Sequence, residues 1–215
     1  MHRVQGRIVQ ISLGVLLLLP LACQAAEFDL VASHWRTYHA GHKTDLTNAP
    51  DGSLSFVFPD ASQGTINYLY SHAAYDVSGA TTVSAALALT VLSGTPAFTY
   101  PTAPNPCVYP ATVRLLLFDT SGGWGDEFGR WWSHEGFQEL IPGVFTLTAH
   151  LDDPTQWSSV YGTFASESPE ALAGFAAVKA HAKLGMTFGG GCFFGHGVST
   201  SGGTVEFDLH TFSAQ

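Results

Sequence analysis

The sequence predicts an all-β fold, an antiparallel β-sandwich of jelly-roll type, and three observations predict it. Short apolar stretches with alternating or β-branched content recur along most of the chain. Turn residues, among them Asp51-Gly52, Ser78-Gly79, Ser93-Gly94 and Ser121-Gly122-Gly123, stand between several of these stretches. Helix signals are confined to one insertion between residues 153 and 182, so a helix would cap an end of the sandwich or cross between its sheets.

The chain opens on a leader. Met1 to Gln10 carries Arg3 and Arg7 and no acid, Ile11 to Leu21 is almost wholly apolar, and Ala22 to Ala26 supplies small residues for cleavage. That is the pattern of a secretory signal peptide over residues 1–25, and its apolar run is shorter than the ~20 residues that span a bilayer. Leu21-Ala22-Cys23 also approximates a bacterial lipobox, with Cys23 as the lipidated residue. Pro20 stands where that pattern has an aliphatic residue, so the expected location is secreted or periplasmic rather than lipid-anchored. Residues 26–215 then suit one domain with a sizeable core and no transmembrane segment. They keep all 17 acids against six Lys and Arg, a formal charge of −11, which argues against nucleic acid and anionic membrane surfaces.

Glu27 to Ser33 alternates and reads as the first strand; Ser53 to Phe58 reads as the second, entered by Asp51-Gly52 and stopped by Pro59. Ile66 to His72, Thr81 to Leu92, Ala97 to Tyr100, Val113 to Asp119, Arg130 to His134 and Gly143 to Asp152 continue the series. Alternation is strictest in Thr81 to Leu92, which puts Val83, Ala85, Leu87, Leu89 and Val91 on one side, expected to face the core. Asp153-Pro154-Thr155-Gln156 supplies an N-cap, a first-turn proline and an N3 glutamine for a short turn. Ser168-Pro169-Glu170 repeats the device and opens a longer helix through Ala182, with Leu172, Phe175, Ala176 and Lys179 near one face.

The last two strands, Met186 to Phe188 and Thr204 to Phe212, flank a glycine-rich connection that holds Cys192 and His196, and are expected to form a final hairpin. Ordering Gly189, Gly190 and Gly191 costs backbone entropy, which a disulfide, burial of Phe193 and Phe194, or a close backbone approach would offset. Cys107 and Cys192 remain after cleavage, and an even pair in an oxidising compartment most simply becomes one disulfide. It would close a loop of about 85 residues and contribute ~4 kcal/mol. The spacing does not suit a metal knuckle, and a free reactive thiol would leave the other cysteine without a role.

Chemistry-bearing residues concentrate in Trp124 to Glu135. Here Trp124, Trp131 and Trp132 flank Asp126, Glu127, Arg130, His134 and Glu135. Adjacent residues of a strand point to opposite faces, so one of Trp131 and Trp132 belongs to the core and the other looks outward. Sugars offer apolar C–H faces to aromatic rings and hydroxyls to acids, amides and Arg, so a saccharide site would use this mixture. The bland reading buries both tryptophans and leaves the charges on a loop. His34, His39 and His42, with Asp45 beyond, could share a transition metal, but nine scattered histidines suit plain surface polarity, and no metal site is expected. Structural calcium on Asp126, Glu127, Asp152 or Asp153 has no EF-hand spacing behind it. His196, between Gly195 and Gly197, suits a ligand contact or a histidine satisfying nearby carbonyls. Tyr68, Tyr70 and His72 share a strand face and could serve a lyase-like site or simply pack. Glu127 with Glu135 or Glu139 could supply the carboxylate pair of glycoside hydrolysis, as any acidic protein could. No nucleophile elbow, phosphate loop, dinucleotide fingerprint or His-Glu-x-x-His occurs.

Three motifs in order, Arg130-Trp-Trp-Ser133, Trp157-Ser-Ser-Val-Tyr-Gly162 and Met186-Thr-Phe-Gly-Gly-Gly-Cys-Phe-Phe-Gly-His-Gly-Val198, resemble a family of uncharacterised secreted bacterial β-sandwich proteins. The likeness covers roughly Ile66 to Phe212 and transfers no activity. Some of that family carry a C-terminal sorting anchor, which Ser213-Ala214-Gln215 does not continue into. In architecture the chain resembles galactose-binding-like and other carbohydrate-binding jelly rolls. The expected role is non-catalytic polysaccharide or glycan binding, by stacking on Trp124 and one of Trp131 or Trp132, with Asp126, Glu127, Arg130 and His134 fixing hydroxyls. A hydrolase or lyase using the same cleft, or a structural envelope or matrix protein, are the alternatives.

Overall fold

The computed structural model describes residues 26–41, 43–102, 107–119, 121–123, 125–192 and 194–215. The leader expected at residues 1–25, including Cys23, and the expectations for His42, Trp124 and Phe193 lie outside the described residues. In chain order the strands are β1 (Ala26–Glu27), β2 (Trp35–Gly41), β3 (Thr47–Asn48), β4 (Leu54–Val57), β5 (Gly64–Ser71), β6 (Thr82–Thr99) and β7 (Thr112–Phe118). After them come β8 (Arg130–Ser133), β9 (Gln138–Glu139), β10 (Gly143–His150), β11 (Trp157–Ser159), β12 (Lys183–Gly189) and β13 (Ser199–Ala214). The helix α1 (Pro169–Ala180) lies between β11 and β12.

These strands form two antiparallel sheets, the all-β sandwich that the alternation predicts. The first runs β10-β6-β13-β4-β3 with β1 beside β13; the second runs β11-β8-β7-β12-β5-β2 with β9 beside β7. Val83, Ala85, Leu87 and Leu89 of β6 face the core as their spacing requires, whereas Val91, expected on the same side, is 39% exposed. Ser93-Gly94 does not end that strand: Gly94 sits opposite Gly203 where the pairing with β13 shifts register, and β6 runs on to Thr99. The core between the sheets is aromatic. Phe56 stacks on Phe207 at 4.8 Å, and Phe188 meets both rings edge-on at 5.8 and 5.6 Å.

Local signals and long-range pairing part company at three places. The segment from Glu27 to Ser33 pairs only at Ala26–Glu27 and then forms a short turn at Ala32–His34. The final hairpin does not form: β12 lies between β7 and β5 in one sheet, and β13 between β6 and β4 in the other. Each strand carries apolar side chains to the core, and each sheet needs such a strand at its centre, so the glycine-rich connection crosses between sheets. In α1, capped by Ser168 as expected, the buried positions are Ala171, Phe175 and Val178. Leu172 is 48% exposed, one position off the expected face. Phe175 packs against Trp131 at 5.3 Å and Trp157 at 5.5 Å, and so closes that part of the core.

The cysteines pair. Cys107 and Cys192 form a disulfide with Cα atoms 5.4 Å apart, tying the glycine-rich connection to the segment that enters β7. Among the described residues no helix is long and apolar enough to cross a membrane.

Candidate functional site: a groove on the outer face of the second sheet

The second sheet has an outer face built row by row from its register. One row crosses Ser158, Trp132, Leu116, Gly185, Tyr70 and Arg36; the next crosses Arg114, Thr187, Tyr68 and Tyr38. On the other side of the first row, Phe118 pairs with both Arg130 and Lys183. Leu116, Phe118, Tyr68 and Tyr70 form a small apolar cluster separate from the main core. They give the face a firm, apolar floor.

The adjacent tryptophans separate as alternation demands. Trp131 points inward, fully buried, parallel to Phe128 at 5.9 Å, with its indole N–H donating to the Phe128 carbonyl at 2.8 Å. The ligand contact expected of Trp131 is therefore not available, because no part of its ring reaches solvent. Trp132 points outward, yet only 3% of it is exposed. Tyr68 lies 6.4 Å from it and the Arg130 guanidinium 5.9 Å, so Trp132 is a floor of the groove rather than an open platform.

Two adjoining depressions share Trp132, Val160, Phe194 and His196 and make one continuous groove. The larger, about 580 Å³, is bounded by His134, Ser158 and Tyr161; the smaller, about 360 Å³, by Tyr38, Tyr68 and Arg130. The open rings are Tyr161, 68% exposed, and Tyr38, 45% exposed and stacked on Tyr68 at 5.6 Å. Arg130 Nη1 donates to the Tyr68 hydroxyl at 3.3 Å. Burial pushes the Tyr68 phenol above its ordinary value, with the Arg130 charge opposing, so it remains a hydroxyl at neutral pH.

His134 and Arg114 organise the opposite wall. A 2.7 Å hydrogen bond joins His134 Nε2 to Ser158 Oγ, and burial, with the charge of Arg114, holds the imidazole below its ordinary value. Arg114 lies between two phenyl rings, 3.8 Å from the centre of Phe194 and 4.4 Å from that of Phe137, and donates to the Ser133 carbonyl at 3.0 Å. Burial lowers its pKa to about 10, which still leaves it charged at neutral pH. Phe194 in turn lies edge-on to His134 at 5.5 Å.

The glycine-rich connection forms the rim. Gly195 and Gly197 have φ of +76° and +92°, a backbone region that residues with a Cβ rarely adopt. A Cβ on Gly195 would also stand 2.5 Å from the Tyr68 hydroxyl. The Gly195 carbonyl accepts from Asn67 Nδ2 at 2.8 Å, and the Gly197 N–H donates to the Phe188 carbonyl at 3.0 Å. Held this way, the connection presents His196, exposed, to both depressions.

Arg130, Trp132, His134 and His196 are thus brought together, while the expected acids are not. Asp126 lies in a different depression with Ser121, Phe128 and Gly174, its carboxylate accepting from the Phe128 N–H as a turn cap. Glu127 accepts from Thr163 Oγ1 at 2.8 Å, and Glu135 is bound to His150 at 2.9 Å. No carboxylate lines the groove among the described residues. Asp153 caps the turn at Pro154–Gln156. No group of three or more His, Cys, Asp or Glu is placed to hold a metal ion among the described residues. Tyr38 and Tyr161 escaped sequence reading. Tyr38 sits on β2, where Trp35 and Thr37 alternate with Arg36 and Tyr38; this period of two, not the spacing of the nearby histidines, is the signal that puts its ring on the outer face.

Fold and groove together define a β-sandwich with an aromatic and cationic groove on one sheet. No protein-family model matches the sequence, and the curated proteins gave no match. Among solved structures the chain is similar to a xylan-binding module, CBM15, at 15% identity and a TM-score of 0.42, over 87% of this chain and 97% of that one. It is also similar to an arabinose-bound α-L-arabinofuranosidase, MgGH51, at 12% identity and a TM-score of 0.40; the match covers 84% of this chain but 23% of that enzyme. At these scores the likeness carries no weight for the chemistry of the groove.

Proposed function

We propose that the protein is a secreted, non-catalytic glycan-binding protein and that the outer-face groove is its binding site. One observation carries the reading: open Tyr38 and Tyr161 rings stand on either side of a continuous groove that also presents Arg130, His134, Ser158 and His196. Aromatic faces take the C–H faces of sugars, and donors around them take the hydroxyls. A disulfide suits an oxidising compartment, in keeping with the leader read at residues 1–25.

The groove argues against hydrolysis at this place, since that reaction needs two carboxylates across the scissile bond and the lining has none among the described residues. A pull-down on a panel of insoluble polysaccharides, followed by analysis of soluble products, tests the proposal. Retention without new chain ends is expected. New chain ends would make the protein an enzyme, and no retention on any polymer would leave a structural role.

A further inference from the structure

Charge is sorted between the two sheets. The chain after residue 25 carries nearly three acids for each Lys or Arg, yet the six strands β11, β8, β7, β12, β5 and β2 contain no Asp or Glu. They hold Arg36, Arg114, Arg130 and Lys183, four of the six basic residues, and the register places all four on the outer, groove-bearing face. Lys183 Nζ lies 5.9 Å from the rings of both Tyr70 and Phe118, and Arg36 is directly opposite Tyr70. Arg36, Arg114 and Lys183 have no carboxylate within ion-pair distance among the described residues. Of the strand acids, Glu27, Glu206 and Asp208 belong to β1 and β13 of the first sheet, and the second sheet adds Glu139, exposed on the short β9 opposite Thr112, at the other end of β7 from Phe118, Arg130 and Lys183.

Resting on the glycan reading above, we infer that the ligand is an acidic polysaccharide, one with carboxylate or sulfate groups on its sugars, laid across Tyr38, Tyr161 and Arg130 toward Lys183 and Arg36. A neutral glycan gives no reason to gather cations on one face of an acidic protein. An anionic one does: the net negative charge repels polyanions from every other surface, while the local cations attract them and their N–H groups bind the anionic oxygens. Arg114, buried beneath Phe194, adds positive charge from below without touching the ligand.

Paired polymers of one backbone test this. Affinity electrophoresis would compare polygalacturonate with its methyl ester, and dextran sulfate with dextran, at low and high salt. The inference predicts retention by polygalacturonate or dextran sulfate, little by the neutral partner, and weakening as salt rises; whichever charged polymer is held names the acid group. Arg130→Gln, and separately the pair Arg36→Gln with Lys183→Gln, the first exposed and the second half-buried, should each weaken retention roughly tenfold or more, with melting temperature monitored as the folding control. Equal retention of charged and neutral partners overturns the acidic ligand and leaves glycan binding standing. Charged-polymer retention unchanged in all folded variants also overturns it, by placing the contact elsewhere. Retention by neither pair, together with none on the insoluble panel, overturns the glycan reading itself.

Discussion

Tyr161 and Tyr38 separate binding from stability most cleanly, because both are exposed at the groove while Trp132 is not. Tyr161→Ala should weaken glycan retention several-fold, matching the ~0.5–1.5 kcal/mol of an aromatic stacking contact, and leave the melting temperature almost unchanged. Tyr38→Ala should weaken retention similarly, with a small loss of stability from its stack on Tyr68. Trp132→Ala is expected to cost about 3–5 kcal/mol of stability, as buried aromatics do, so lost retention there would say little about contact. At His134, burial and the Arg114 charge lower the pKa from the ordinary 6.5. The unfolded chain therefore takes up this proton first on acidification, and the stability from neutral His134 is lost as pH falls from 6.5 through the lower folded value. An NMR titration of the imidazole should give a midpoint below 6.5; a midpoint above it would contradict the buried, cation-flanked placement.

Among the elements, α1 is where local sequence and packing can be told apart. Phe175→Ala removes the ring that fills the space between Trp131 and Trp157, at an expected cost of about 3–5 kcal/mol and a melting temperature lower by roughly 10 °C. Leu172→Ala, on the exposed side, should change stability by less than about 0.5 kcal/mol. The helix itself was legible because Ser168 and Pro169 are local signals; its buried face was misjudged by one residue because the three- and four-residue spacings around Phe175 fit two faces nearly equally. Strands such as β6 were legible for the same local reason, Val83 to Leu89 alternating regardless of partner. Pairing was not: β12 and β13 read as a hairpin because they are neighbours in sequence, whereas their apolar side chains complete two different sheets. The separation of Trp131 from Trp132 followed from alternation alone, but Tyr38 and Tyr161 come to the groove from segments about 120 residues apart, and no periodicity in either segment announces the other.

For the whole molecule, the disulfide and the charge sorting matter most. Cys107→Ser with Cys192→Ser should lower stability by about 4 kcal/mol on the loop-entropy account of its separation of 85 residues, measured by denaturant titration. It should also weaken glycan retention in the folded fraction, since Cys192 borders the groove and precedes the rim that holds His196. The central claim is that one face of one sheet binds sugar, and the most direct test titrates ¹⁵N-labelled protein with a set of neutral and acidic oligosaccharides while following the backbone amide and indole N–H signals. Trp35, Trp131 and Trp157 donate to the carbonyls of Asp29, Phe128 and His150 within the structure and should stay still, whereas the Trp132 signal should move on adding a bound oligosaccharide. Shifts confined to the first sheet, or no shift with any sugar in the set, would contradict the account.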